Sequence, residues 1–193
     1  MKSFLRAYHI IFALVLAYTL GFLFIHTPVI EFFSYISNLV EILLVGIFLY
    51  LGLVNSEKQK DLTSLRGAVV VYIIAISLAF IILLENQFSV RFSWVSFVQH
   101  RLTPIVVLLE WILNPPTRKL KIIDTFKWLI FPTLYFIWAM IRGGFIDGWD
   151  PYRFFDPRIV GFDGVLKYFV GLLIGGWIIS LITIFIGNKL RKK

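Results

Sequence analysis

Residues 31–60 read EFFSYISNLVEILLVGIFLYLGLVNSEKQK, and this stretch decides the fold. From Leu39 to Val54 the only charged residue is Glu41, after which Asn55 to Lys60 is wholly polar. About 20 apolar residues rising ~1.5 Å each match a hydrocarbon core ~30 Å thick, so the spacing predicts a membrane-crossing helix over 31–54. A soluble surface helix would carry a charged face along its whole length, and this one does not.

Working outward, the same signature recurs. Apolar stretches at 8–25, 67–85, 95–113, 123–141 and 164–187 join 31–54 to predict about six transmembrane helices in one domain covering residues 1–193. The breaks have their own chemistry: Asn114-Pro115-Pro116-Thr117 stops the fourth stretch, and Arg142-Gly143-Gly144 closes the fifth. Of 193 residues 59% are hydrophobic and 16% charged, with a mean hydropathy of +0.86. A soluble domain lacks enough polar surface to cover that much apolar side chain, whereas lipid solvates it. The expected class is an all-α polytopic membrane helix bundle, multi-pass in the cell membrane. Lys2 and Arg6 precede the first stretch as in a signal peptide, but no small-residue cleavage site follows, so it reads as a retained span.

Charge sets direction. Lys2 and Arg6, then Lys58, Lys60 and Arg66, then Arg118, Lys119 and Lys121, then Lys189, Arg191, Lys192 and Lys193 fall at alternate span ends. The positive-inside rule makes that side cytoplasmic and places both termini there. Arg91, Arg142, Arg153 and Arg158 lie opposite, interleaved with acids. The net charge of +8 is thereby read as a topology signal, with no nucleic-acid partner. There is no cysteine, HExxH or His pair at ligand spacing, so no metal or cofactor is expected; GxSxG and phosphate-binding loops are also missing.

Polar groups at membrane depth cost several kcal/mol unless partnered, and each needs a reason. In the second span Ser34, Ser37, Asn38 and Glu41 recur at i, i+3, i+4 and i+7, which predicts one polar helix face. Interhelical hydrogen bonding accounts for the serines but not for Glu41. In the fourth span His100 and Arg101 lie near the outer end, with Thr103, Pro104 and Glu110 beyond; antiparallel counting puts Ser34 and His100 in the same leaflet. His9 and His26 read as interfacial. Tyr135 and Arg142, seven apart in the fifth span, share a face, and Arg142 suits a substrate carboxylate or snorkels to the interface. The segment 143–164, rich in aromatics and carrying Asp147, Asp150, Asp156 and Asp163, reads either as an interfacial belt or as a lid over a site.

At these residues the chain resembles the bacterial Pr6Pr integral membrane proteins, related to the eukaryotic androgen-induced-gene and androgen-dependent TFPI-regulating proteins. The resemblance runs through Phe33-Ser34-Tyr35-Ile36-Ser37-Asn38-Leu39, Leu65-Arg66-Gly67-Ala68, His100 with Pro104, Trp111-Ile112-Leu113-Asn114-Pro115-Pro116, Phe131-Pro132-Thr133-Leu134-Tyr135, Arg142-Gly143 and Asp150-Pro151-Tyr152-Arg153-Phe154-Phe155-Asp156-Pro157. It implies an intramembrane hydrolase of lipid esters, of the class of fatty acid esters of hydroxy fatty acids, with a hydroxyl nucleophile and a histidine base. The nucleophile falls at Ser34, where the family pattern has threonine, and the base at His100; a three-residue slip in register moves the nucleophile to Ser37. Supporting roles fall to Asn38 or Tyr135 for the oxyanion, Glu41 for orientation, and Arg101 or Arg142 for a substrate carboxylate. The competing expectations are a small transporter or proton-coupled carrier using the same polar residues, and a non-catalytic accessory membrane protein.

Overall fold

A computed structural model describes residues 2–84 and 93–191, apart from the side chains of Lys2 and Ser93. Arg91, Lys192 and Lys193 lie outside the described residues. The chain is an all-α bundle with no strand among the described residues. Among those residues five helical stretches are long and apolar enough to cross a membrane: 3–26, 36–53, 63–84, 122–146 and 157–190. They are built from α1 (Lys2–His26), α3 (Ile36–Leu53), α4 (Thr63–Ala79), α7 (Ile122–Ile141) and α8 (Pro157–Leu190). The short α2 (Val29–Phe32) stands between α1 and α3. The remaining expected span, 95–113, is a helical run in three pieces: α5 (Ser93–Phe97), a π-helical turn Val98–Leu102, and α6 (Thr103–Leu113).

Apolar side chains divide between core and lipid as a membrane bundle requires. Val40, Leu44, Phe48, Val69, Val107 and Trp111 pack one continuous core, while Ile25, Ile82, Phe145 and Phe185 stand on the periphery, exposed. Inside lipid every backbone group must bond within the protein, which leaves helices as the usable element. Small residues let helices approach: a Cβ on Gly52 would sit 2.6 Å from Ile10, and one on Gly67 or Gly187 would sit 2.7 Å from Trp128 or Trp111.

Both chain ends and two connections gather at one end of the bundle. Arg6 Nε donates to the Gly52 carbonyl (3.0 Å), Thr117 Oγ1 donates to Asp61 (2.9 Å), and Leu120 and Asn188 exchange two hydrogen bonds. The segments 27–35 and 142–156 occupy the other end, where Tyr35 meets Trp149 and Tyr152 edge-on.

The second expected span is not one helix. α2 stops at Phe32, Phe33 and Ser34 turn, Tyr35 is extended (φ −86°, ψ 124°), and α3 restarts at Ile36. The backbone groups released by the break are satisfied from side chains: Asn38 Nδ2 donates to the Phe32 carbonyl (2.9 Å) and the Tyr135 hydroxyl to the Ser34 carbonyl (2.7 Å). Ser34 therefore does not share a helical face with Ser37, Asn38 and Glu41, contrary to the spacing argument.

Two other boundaries moved outward. The fifth span runs on through a π-helical turn, Arg142–Ile146, and the last helix begins at Pro157 rather than near Gly164. Asp156 caps it by accepting from the Arg158 backbone N–H (2.8 Å), Pro157 takes the first position, and Gly161 kinks it (φ 71°, ψ 161°), a conformation glycine adopts without steric cost.

Candidate functional site

The π-helical turn at Val98–Leu102 explains why adjacent residues both face inward. An extra residue in the turn widens it, so Gln99 and His100 are buried side by side. Gln99 Nε2 donates to Glu41 Oε2 (3.0 Å) and to Asn38 Oδ1 (3.1 Å), and Thr103 Oγ1 lies 3.4 Å from Glu41 Oε1. Glu41 is thus held by the fourth helical run. Asn38 and Glu41 are coupled through one amide that the sequence reading passed over. The available signal was Gln99 itself, a primary amide inside an apolar stretch next to the histidine.

Below this network lies a cavity of about 310 Å³, lined at its polar end by Ser37, Asn38, Gln99, His100, Tyr135 and Tyr152. Its remaining wall is chiefly apolar and comes largely from α4, α7 and α8. Leu23 and Thr27 on the α1 side, Tyr35 and Ile36 at the start of α3, Val95 and Ser96 of α5, and Phe154 and Phe155 contribute the rest. The volume lies at the small end of the ~300–1,000 Å³ usual for small-molecule sites. His100 stacks face to face on Phe80 (centroids 3.8 Å apart), and its Nδ1 is buried with no protein hydrogen-bond partner. Only three buried side-chain polar atoms among the described residues are in that state, and this is the one whose residue lines the cavity alongside a hydroxyl. His100 lines the cavity, while its Nδ1 is itself closed off from that space, an exception to the usual pairing of buried polar atoms.

Ser37 and His100 share the cavity wall, although no hydrogen bond joins His100 to Ser37 or to Ser34 among the described residues. Ser34 is elsewhere. Its hydroxyl donates to the Ile30 carbonyl (2.5 Å), accepts from Arg142 Nη1, and forms no part of the cavity wall. The expected meeting of Ser34 with His100 in one pocket is therefore not what the fold builds; the break before α3 turns Ser34 toward Arg142 instead. Tyr135 reaches the cavity, with its proton committed to the Ser34 carbonyl. Tyr152, from the segment read as belt or lid, brings its hydroxyl to those of Ser37 and Tyr135. That segment supplies Phe154 and Phe155 to the cavity wall as well.

Arg142 is buried, not snorkelling. Its guanidinium binds Asp147 through Nε (3.0 Å) and Nη2 (2.7 Å), and the Trp149 ring lies 4.1 Å from its central carbon. The hydrogen bond from Arg142 holds the Asp147 carboxyl below its ordinary value. Arg101 is exposed and lines no part of the cavity. Among the described residues no cluster of acidic or imidazole groups is arranged to hold a metal.

A second polar centre lies toward the terminal end. Glu110 binds Arg66 Nη2 (2.8 Å), sits 3.2 Å from His9 Nε2 and accepts from Asn114 Nδ2 (3.0 Å). Arg66 also donates to the Asn114 carbonyl and lies over Trp111. Arg66 and His9, read from sequence as a loop cation and an interfacial residue, are both buried.

No protein-family model, no curated protein and no solved structure matches this chain. What the fold and cavity define is a class: a polytopic helical membrane protein enclosing an amphipathic pocket.

Proposed function

We propose that this protein is an intramembrane hydrolase of lipid acyl esters, with Ser37 as nucleophile and His100 as base. The observation that carries the reading is the cavity in which a hydroxyl and an unpartnered imidazole share one wall amid apolar side chains. The resemblance to the Pr6Pr proteins supports the same chemistry, with the register that places the hydroxyl at Ser37. Ser37 Oγ attacks the ester carbonyl while His100 removes its proton, and the imidazolium returns that proton to the departing alkoxide. Water then attacks the acyl-serine, giving its proton to His100; the carboxylic acid leaves and Ser37 recovers its proton. Tyr152 and the second N–H of Asn38, which line the same cavity, serve as donors to the developing oxyanion. The serine–imidazole bond closes when substrate fills the cavity, as catalytic contacts that are long in an empty site commonly do.

Lys58, Lys60, Arg118, Lys119, Lys121, Lys189 and Arg191 at the terminal end support a cytoplasmic placing of that end, with the polar groups of the cavity towards the extracytoplasmic side.

The test is turnover of a fatty acyl ester by the purified protein, together with trapping by a lipophilic fluorophosphonate. Ser37→Ala and His100→Ala each lower turnover by ~10²–10⁴-fold, and the label is found on Ser37. Undiminished turnover in both variants defeats the reading; a label on Ser34 reassigns the nucleophile. A non-catalytic lipid carrier is favoured by one observation, the stacking of His100 on Phe80 without a bond to a serine. Under that reading the wild-type protein binds acyl chains and turns over none.

A further inference from the structure

We propose that the cavity admits a single acyl chain, tail towards Gly176, and that Gly176 with its neighbours sets the chain length accepted. This rests on the cavity being a lipid site and deepens the reading above; it does not require the ester to be cleaved.

The polar groups of the wall come mainly from one end of the cavity, with the rings of Phe80, Phe154 and Phe155 interspersed. Hydroxyl, amide and imidazole groups sit where α3, the fourth helical run and the 142–156 segment meet. Away from them the wall is Val71, Ala75, Leu129, Leu173 and Gly176, together with Tyr72. The Tyr72 hydroxyl is no exception, because it donates to the Trp128 carbonyl (2.6 Å) and offers the cavity only its ring. A wall of this kind accepts a molecule with one polar end and one apolar tail. About 310 Å³ leaves no room for a two-chain lipid, so the leaving group of an ester stays outside the apolar part.

Gly176 differs from the packing glycines of this bundle. At Gly52, Gly67 and Gly187 an added Cβ would meet a neighbour at 2.6–2.7 Å, which is the mark of a helix contact that glycine makes possible. At Gly176 the nearest atom is Leu129 Cδ2 at 3.4 Å, an ordinary contact, and the residue is buried on the cavity wall. Gly171 and Gly175 have nothing within 4 Å and do not line the cavity. The missing side chain at 176 therefore leaves cavity space. On α8 the lining residues run from Phe169 to Gly176, which is ~10 Å along the axis.

The experiment measures displacement of a fluorescent fatty acid from the full-length protein in detergent micelles by butanoate, heptanoate and decanoate. Gly176→Leu puts about four carbons into the tail end. At the transfer free energy of a methylene it weakens decanoate binding ~10²-fold and leaves butanoate unchanged. Leu173→Ala enlarges the same end and moves the preference towards the longer chain, so the inference does not hang on one variant folding. Equal weakening of all three chains by Gly176→Leu, or an unaltered length profile in both variants, overturns it. The two readings fail separately. A shifted binding profile with no turnover removes the hydrolase and keeps the chain-length site; His100-dependent turnover with an unmoved length profile does the reverse.

Discussion

Two buried carboxylates, Glu110 and Glu41, lie towards opposite ends of the bundle, and their surroundings differ in kind. Glu110 is enclosed by Arg66, His9 and Asn114, and joins α1, α4 and α6 through charge-assisted contacts. The space beside it is about 10 Å³, no more than one water. Glu41 has no cation in contact among the described residues. Amide and hydroxyl donors hold it, and its neighbours Asn38 and Gln99 open onto the large cavity. A closed ion pair ties helices together, whereas the hydrogen-bonded network around Glu41 borders open space beside His100. Membrane-depth polarity alone therefore does not mark a functional site, and access to a cavity separates the two ends.

The comparison is broken most severely at Arg66. Arg66→Ala leaves the Glu110 carboxylate buried without its cation and is predicted to destabilise the fold by about 3–5 kcal/mol. Replacing both partners, Arg66→Met with Glu110→Leu, restores part of that loss, because no charge is left buried alone, while His9 and Asn114 lose their acceptor. Equilibrium unfolding in mixed micelles reads both variants; a double variant as unstable as the single one would show the pair to be more than a tie.

At the other end Gln99→Leu removes the shared donor from Glu41 and Asn38. The expected loss is smaller, ~1–2 kcal/mol, because no charge is stranded by the loss of a counterion. Its sharper consequence is local: acyl-chain binding falls, while the Glu110 centre and the core around Trp111 are untouched. Unaltered binding in this variant would separate the network from the cavity.

The smallest effect concerns the loop that closes the cavity end. Asp147 has a depressed carboxyl value, so its pairing with Arg142 contributes fully above the ordinary aspartate value of 3.8 and is lost as pH falls below it. Asp147 is partly exposed, and solvent screens the pair, so the pH-dependence of thermal unfolding changes only slightly. Asp147→Asn should flatten the profile below that value and leave it unaltered near neutrality; an identical acid limb in both proteins would mean that the loop is held by Trp149 and Tyr35 alone.

The class and the helical runs were legible in the sequence because they depend on local quantities: the length of an apolar stretch, a Pro-Pro stop, a polar loop. The polar residues that needed explaining were legible too, and Asn38, Glu41, His100 and Tyr135 all lie in or beside the cavity network. Their grouping was not. Helical periodicity put Ser34 with Ser37, and the break at Phe33 to Tyr35 parted them, because Asn38 and Tyr135 supply the hydrogen bonds that make a break tolerable in lipid. Gln99 entered through a π turn that shifts register by one residue, and Tyr152 through a loop whose path no periodicity records. Composition and spacing determined what lipid would solvate and roughly where the helical runs lie. Which polar groups meet was decided by tertiary contacts, because the break before α3 is satisfied in part by Tyr135, 101 residues beyond Ser34 in the chain.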